Sequence, residues 1–142
     1  MSTSYPVALA RDETGELRAV FRDLPEILTW GEDEAEALAA AADALEVAVG
    51  GLMDRGQDVP PPSPPVPGEH LVALPAQLAA KLAVWRAWRE SGISKSELAR
   101  RLGIMENEAR RILDPKHATK LPTLDAAARA LGKRLVIDLE AA

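Results

Sequence analysis

Residues 95–114 read KSELARRLGIMENEARRILD, and the fold of the second half of the chain turns on this stretch. A helix-turn-helix needs a small residue where its two helices cross, a glycine in the turn and apolar residues on the faces that pack together. With Lys95 as the first of twenty positions, Ala99 is the small fifth residue and Gly103 the ninth. Leu98, Leu102, Ile104, Ala109 and Ile112 then put apolar side chains at the fourth, eighth, tenth, fifteenth and eighteenth positions. An ordinary helical hairpin satisfies the apolar positions but has no need of both the alanine and the glycine at this spacing. The pattern predicts helices over 94–102 and 106–113. The second stops at Asp114-Pro115, because proline disfavours helical geometry for its predecessor. In such a module the second helix enters the major groove. Asn107 then suits adenine, Arg110 or Arg111 suits guanine or a phosphate, and Glu106 suits cytosine. Lys95, Ser96, Lys116 and Lys120 stand where phosphate contacts set register. Glu106 and Glu108 fit the positive end of the helix dipole but repel phosphate, so a lone module binds weakly.

Outward from this motif, Pro75 suits a first helical position, and Leu78, Leu82 and Trp85 mark the buried face of a helix over 75–91 that Ser91-Gly92 stops. A further helix over 123–131 closes at Gly132. The ending KRLVIDLE alternates as a half-buried strand does, with Leu135, Ile137 and Leu139 on one side, and such a strand needs a partner, which another subunit can supply. Residues 75–142 are thus expected to form an all-α helix-turn-helix domain for DNA binding and dimerisation, ending in a short strand.

On the other side lies DVPPPSPPVPGE, residues 58–69, with six of the eleven prolines. Proline lacks an amide donor and has a fixed φ, so the segment reads as an extended, semi-rigid connector, with a PxxP-binding partner as the alternative. Before it, residues 5–11 and 17–21 read as a hairpin turned at DETGE, residues 27–30 as a third short strand, and residues 70–74 as a fourth. A long helix begins at Asp33, where Glu36 completes a capping box, and its apolar face is expected at Ala35, Leu38, Ala42, Leu45, Val49 and Leu52. Residues 1–74, linker included, form an α+β domain of three or four strands and a helix.

Charge separates the halves. Residues 1–58 carry 4 Lys+Arg against 13 Asp+Glu, and residues 59–142 carry 13 against 9, so a chain of net charge −5 combines halves of −9 and +4. The acidic half suits a basic protein and the basic half suits nucleic acid. There is no cysteine, which excludes disulfides and thiolate metal sites. No basic leader followed by an apolar run begins the sequence and no stretch reads as a membrane span, so a cytoplasmic protein without a membrane partner is expected.

The segments YPVALARDETGELRAVFRDLPEILTWGEDEAEALAAAADALE, DRGQDVPPPSPP and SKSELARRLGIMENEARRILDPKHATKLPTLDAAARALGKRLVIDLE resemble the HicB family of antitoxins over nearly the whole chain. FRDLP through Trp30-Gly31 and the acidic helix carry the N-terminal pattern, and RRILDPKHATKL carries that of the helix-turn-helix branch. The sequence departs from the family at Glu26-Ile27, where a glycine and a small or polar residue commonly follow Leu-Pro. The resemblance implies a partial RNase H-like domain that binds and blocks a HicA-type toxin, an mRNA-cleaving ribonuclease. It also implies a DNA-binding domain that represses the shared operon as a homodimer or higher homo-oligomer. Tyr5, Asp23, Leu24, Pro25, Trp30 and Glu32 are the toxin-contact residues on this reading, while Phe21 and Ile27 are better core residues and Trp30 suits either role.

An RNase H-like fold raises the question of two-metal nuclease chemistry, which requires converging carboxylates. Asp12, Glu13 and Glu16 fall in a hairpin turn, Asp23 precedes Leu-Pro, and His70 and His117 have no evident partners for acid-base or metal work. A non-enzyme without cofactor or metal is expected. The competing readings are a free-standing regulator with a sensing or oligomerising N-terminal domain, and an RNase H-like nuclease with a helix-turn-helix appended.

Overall fold

Asp12 organises the first turn of the chain. Its carboxylate accepts from the Thr14 hydroxyl at 2.6 Å and from the amides of Thr14 at 2.9 Å and Glu16 at 3.1 Å, and Gly15 takes the positive φ of 87° that the turn requires. The strands β1 (Ser4–Arg11) and β2 (Leu17–Phe21) are thereby closed into an antiparallel hairpin. The strand β3 (Thr29–Gly31) extends it beyond β2 and β4 (His70–Ala73) beyond β1, giving the order β3-β2-β1-β4 with every pair antiparallel. The third strand starts later than its sequence suggests, because Leu24 and Ile27 are turned into the core by amide bonds to Phe21 O and Leu24 O. The computed structural model describes residues 3–142, and the chain divides into two compact units, one ending at Pro75 and the other spanning Ala76–Ala142. The architecture is α+β.

Helix α1 (Glu34–Asp54) covers the sheet face that carries Val7, Ala19, Phe21 and Gly31. Asp33 caps it, accepting from the Glu36 amide at 2.8 Å. Its buried stripe is Ala37, Ala41, Leu45, Val49 and Met53, so of the face expected from spacing only Leu45 and Val49 lie at its centre. The reason is a close approach to β3. A Cβ on Gly31 would lie 2.2 Å from the Ala37 amide nitrogen, and only the smallest side chains fit where helix and strand meet. The alanines take the seam. Leu38, Ala42 and Leu52 are displaced to its half-buried rim, and Ala35 is exposed.

The proline-rich segment differs from the free connector that its composition suggests. Val59 is buried, and the Tyr5 hydroxyl donates to Pro60 O at 2.6 Å. Asp23 accepts from the Ser63 amide at 2.8 Å and hydroxyl at 2.5 Å. The Arg22 guanidinium donates to Pro64 O and pairs with Glu69 at 2.9 Å. Proline has no amide hydrogen to donate, so a run of prolines cannot anchor itself through a backbone ladder. Here side chains reaching back some forty residues or more supply the missing donors.

In the second unit α2 (Ala76–Ser91), α3 (Lys95–Leu102), α4 (Glu106–Leu113) and α5 (Leu121–Ala130) enclose a core that includes Leu78, Leu82, Trp85, Leu98, Ala109, Ile112 and Leu124. The expected terminal strand is not formed among the described residues, where residues 133–142 join no ladder. A strand exists only by pairing, and alternation alone supplies no partner.

Partial burial works against ionisation of Asp23, but the Ser63 hydroxyl and amide together with Arg22 outweigh it and hold the carboxyl below its usual range. Asp23→Ala is expected to lower stability by about 1 to 2 kcal/mol in urea unfolding. It should also open residues 58–69 to limited proteolysis before the rest of the chain.

Candidate functional site

The pair α3–α4 has the geometry that its spacing predicts. Ser94 caps α3, accepting from the Glu97 amide at 3.0 Å, and Gly103 ends it in the left-handed region at φ 68° and ψ 32°. Leu98, Ala99, Ala109 and Ile112 are buried, and α3 packs against α4. The opposite face of α4 is exposed at Met105, Glu106, Asn107, Arg110 and Arg111.

Four of the sequence candidates meet at the start of α4. Glu106 accepts from Arg110 at 2.7 Å and is also hydrogen-bonded by Ser96, and these bonds with the nearby Lys95 charge hold its carboxyl below the usual range. Glu106 is therefore occupied by a cation of its own helix, which masks the repulsion its charge would exert on phosphate. Lys95 lies over the Trp88 ring at 5.7 Å. Glu97 gathers Arg100 at 2.5 Å and Arg101 at 3.2 Å, and these bonds draw its carboxyl down to about 2. Asn107 and Arg111 remain exposed on the outer face. The Lys116 amide donates to Asp114 in the loop after α4, and Lys120 precedes α5.

One residue of this site escapes the pattern reading. Lys81 on α2 has no exposed surface, and its Nζ donates to Arg111 O at 2.7 Å and Asp114 O at 2.8 Å, at the C-terminal end of α4. A helix end leaves carbonyls without partners and carries partial negative charge, so a buried ammonium there meets both needs. Burial lowers the Lys81 ammonium to about 8, against the pull of the Asp114 charge. The sequence signal was a lone lysine on the face of Leu78, Leu82 and Trp85. Thr119, also buried, donates to Arg111 O from the other side at 3.4 Å.

The N-terminal candidates separate into two groups. Tyr5 and Leu24 are each 1% exposed and belong to the core, which corrects the expectation that they offer a contact surface. Asp23 is taken by Ser63. Phe21 and Ile27 are buried, whereas Pro25, Trp30 and Glu32 are exposed. Trp30 lies on the sheet face opposite α1, since strand side chains alternate and its neighbour Gly31 meets that helix. On the α1 side, Leu28 and Val47 are 61% and 75% exposed and line an open groove of about 480 Å³ together with Ile27, Ala40, Ala44 and Ala48. Glu26 and Asp43 form its acidic rim. Spacing did not disclose this groove, because it joins an irregular loop to one side of a helix, and only the fold brings the two together.

Of the acids considered for metal chemistry, Asp12 and Asp23 are engaged by backbone amides and hydroxyls. Asp12 holds its turn, and among the described residues no three His, Asp or Glu side chains gather as a metal site would need. His70 Nε2 lies 3.7 Å from Glu34, and His117 Nδ1 contacts the Thr119 hydroxyl at 3.0 Å. By structural unit, residues 1–75 carry 4 Lys+Arg against 14 Asp+Glu, a net of −10, and residues 76–142 carry 13 against 8, a net of +5. Among the described residues no helix is long and apolar enough to cross a membrane.

Residues 4–83 match the family model described as HicB-like antitoxin of bacterial toxin-antitoxin system. The chain is 40% identical to Antitoxin HicB of Escherichia coli (strain K12) over 131 residues, covering 92% of this chain and 95% of the relative. It is 41% identical to Antitoxin HicB 2 of Photorhabdus laumondii subsp. laumondii, with 92% of each covered. Antitoxin HicB of Pseudomonas fluorescens (strain Pf0-1) is 34% identical over 143 residues, with 99% of this chain and 98% of the relative covered.

Lys81→Met keeps the length of the side chain but leaves two carbonyls without their donor, and should destabilise the second unit by about 1 to 3 kcal/mol. Because the folded-state pKa lies below the unfolded value, the unfolded chain holds the proton more tightly between about 8 and 10.5. The stability that Lys81 contributes therefore rises with pH across that window. Denaturant titrations at pH 7 and pH 10 should show the gap between the parent chain and Lys81→Met widening at the higher pH.

Proposed function

The chain belongs to the HicB-like antitoxin family of bacterial toxin-antitoxin systems, and from that premise we propose that its first unit binds and neutralises a HicA-type mRNA-cleaving toxin while its second represses the shared operon. It acts in the cytoplasm, as a homodimer or larger homo-oligomer, and not as an enzyme. The observation that carries this reading is the division of charge between the two units, −10 against +5, with the α3–α4 pair on the basic one. A protein that binds RNA is basic, and an acidic partner both attracts it and competes for its surface.

The groove between α1 and residues 26–28 suits the centre of the toxin contact, because exposed Leu28 and Val47 supply apolar area inside an acidic rim. Pro25 and Glu32 add exposed surface along the same loop and strand, and Trp30 offers a second exposed contact on the opposite face of the sheet. On DNA, Asn107 and Arg111 read bases, with Arg110 joining them on release from Glu106, while Lys95, Ser96, Lys116 and Lys120 contact phosphates. In a free-standing regulator the first unit binds no toxin, and co-expression separates the two readings.

Val47 is exposed, so Val47→Arg leaves the fold intact while placing a cation and bulk in the groove. Titration against the product of the adjacent short reading frame should show affinity falling at least about tenfold, or ~1.4 kcal/mol. Unchanged affinity would move the toxin contact elsewhere, and a neighbour that neither binds nor harms the cell would favour the regulator. For the second unit, Asn107→Ala should cost about 1 to 3 kcal/mol of operator binding and relax specificity at one base pair. Lys116→Ala should weaken binding to all sequences alike and reduce the salt slope by about 1.

A further inference from the structure

The acid–base pairs of the second unit do not all do the same work. Glu97 gathers Arg100 and Arg101, and Arg101 goes on to donate to Ala130 O at the end of α5. Asp125 pairs with Arg129 and also accepts from the Leu135 amide, while Lys133 reaches back to Glu90 on α2. Each of these ties backbone to side chain or one element to a distant one. Glu106 differs, because its carboxylate is spent on two side chains that are themselves candidates for DNA contact. It accepts from Arg110 at 2.7 Å and is hydrogen-bonded by Ser96, with the Lys95 charge close by. The pair stands in water, the Glu106 and Arg110 side chains being 47% and 62% exposed. A hydroxyl from the start of α3, a guanidinium from α4 and an ammonium beside them are the groups that hold a backbone phosphate on DNA. Here they face a carboxylate of their own chain.

We propose that Glu106 is an internal competitor for DNA: its carboxylate stands in for a backbone phosphate and keeps Arg110 and Ser96 from the duplex until base contacts elsewhere on α4 displace it. A mask of this kind acts on specificity. Non-specific binding lies almost wholly in phosphate contacts, so a withheld cation and a fixed negative charge both weaken it in full. At a matching site Asn107 and Arg111 add base contacts, and these offset the exchange. The competitor must also be weak enough to leave. An exposed ion pair one helical turn apart meets that need, since breaking it costs at most about fivefold in affinity. The geometry favours a mask over a reader of cytosine, because the carboxylate is turned toward Arg110 and Ser96 of its own chain. Glu106 is thereby a specificity-determining residue that acts through Arg110.

This inference rests on the DNA-binding role proposed above. Glu106→Gln keeps the size of the side chain and its bond with Ser96 but removes the charge that holds Arg110. Binding of the full-length protein is measured to the DNA upstream of its own reading frame and to a shuffled fragment of equal length, each over a series of salt concentrations. Glu106→Gln is expected to bind the shuffled fragment roughly fivefold more tightly than the parent chain does, with a salt slope steeper by about 1. The gain on the upstream fragment is expected to be smaller, so the two affinities draw together. In an Arg110→Ala background the same substitution should lose most of its gain, with helix content by circular dichroism unchanged throughout. An undiminished gain in that background would mean that Glu106 acts by its own charge alone, and would overturn the inference. Weaker binding of Glu106→Gln to the upstream fragment, the mark of a base reader, would overturn it too. A parent chain that binds both fragments alike would overturn the DNA-reading role itself and this inference with it.

Discussion

The second unit is built around an ammonium group that water does not reach. An α-helix of eight residues such as α4 has nearly as many unpaired carbonyls as paired ones, and packing alone fixes so short a rod poorly. Lys81 answers this by bonding two of those carbonyls from α2, at 2.7 and 2.8 Å, while Thr119 reaches the same Arg111 carbonyl. Its positive charge also lies at the negative end of the helix dipole. Desolvation of that charge opposes the arrangement and lowers the ammonium to about 8. The result is a helix tethered at its inner end and open on its outer face, where Asn107 and Arg111 stand exposed.

The first unit meets a different constraint, since it carries 14 acids against 4 bases and must fold despite the repulsion. Several of its acids are spent on backbone. Asp12 closes the hairpin, Asp33 caps α1, Asp23 holds Ser63, and Glu69 pairs with Arg22. The same side chains turn a proline-rich strap, which has few donors of its own, into part of the unit. Glu26, Glu32 and Asp43 have no such duty in the fold, and they stand near the exposed apolar residues of the groove and of β3. Acids that do structural work and acids that shape the surface field are thus different residues.

Legibility in the sequence followed locality. The pair α3–α4 could be read almost to the residue, because its two helices and turn glycine are set by spacing within twenty positions. The hairpin at Asp12 and the cap at Asp33 were equally local. Features that depend on distant partners were not legible. The seam of α1 was read correctly at Leu45 and Val49 but misplaced toward its start, where Gly31 meets Ala37, and no helical period encodes that approach. The proline segment looked like a free connector because its clamps at Tyr5, Arg22 and Asp23 lie far upstream. Tyr5 and Leu24 looked like contact residues from their neighbourhood, and their burial follows from packing that composition does not report. Lys81 was hidden in plain view, as a charge on an apolar stripe whose acceptors lie on another helix.

Two units with opposite charge suggest two activities that separate cleanly, and that separation is the central claim. The most direct measurement follows both in one culture: the full chain carrying both Asn107→Ala and Arg111→Ala, expressed beside the product of the adjacent short reading frame, with growth recorded alongside transcription from the promoter upstream of the pair. Growth as robust as with the parent chain, together with derepressed transcription, is the predicted result. Loss of toxin protection along with repression, or full repression by the doubly substituted chain, would contradict the account.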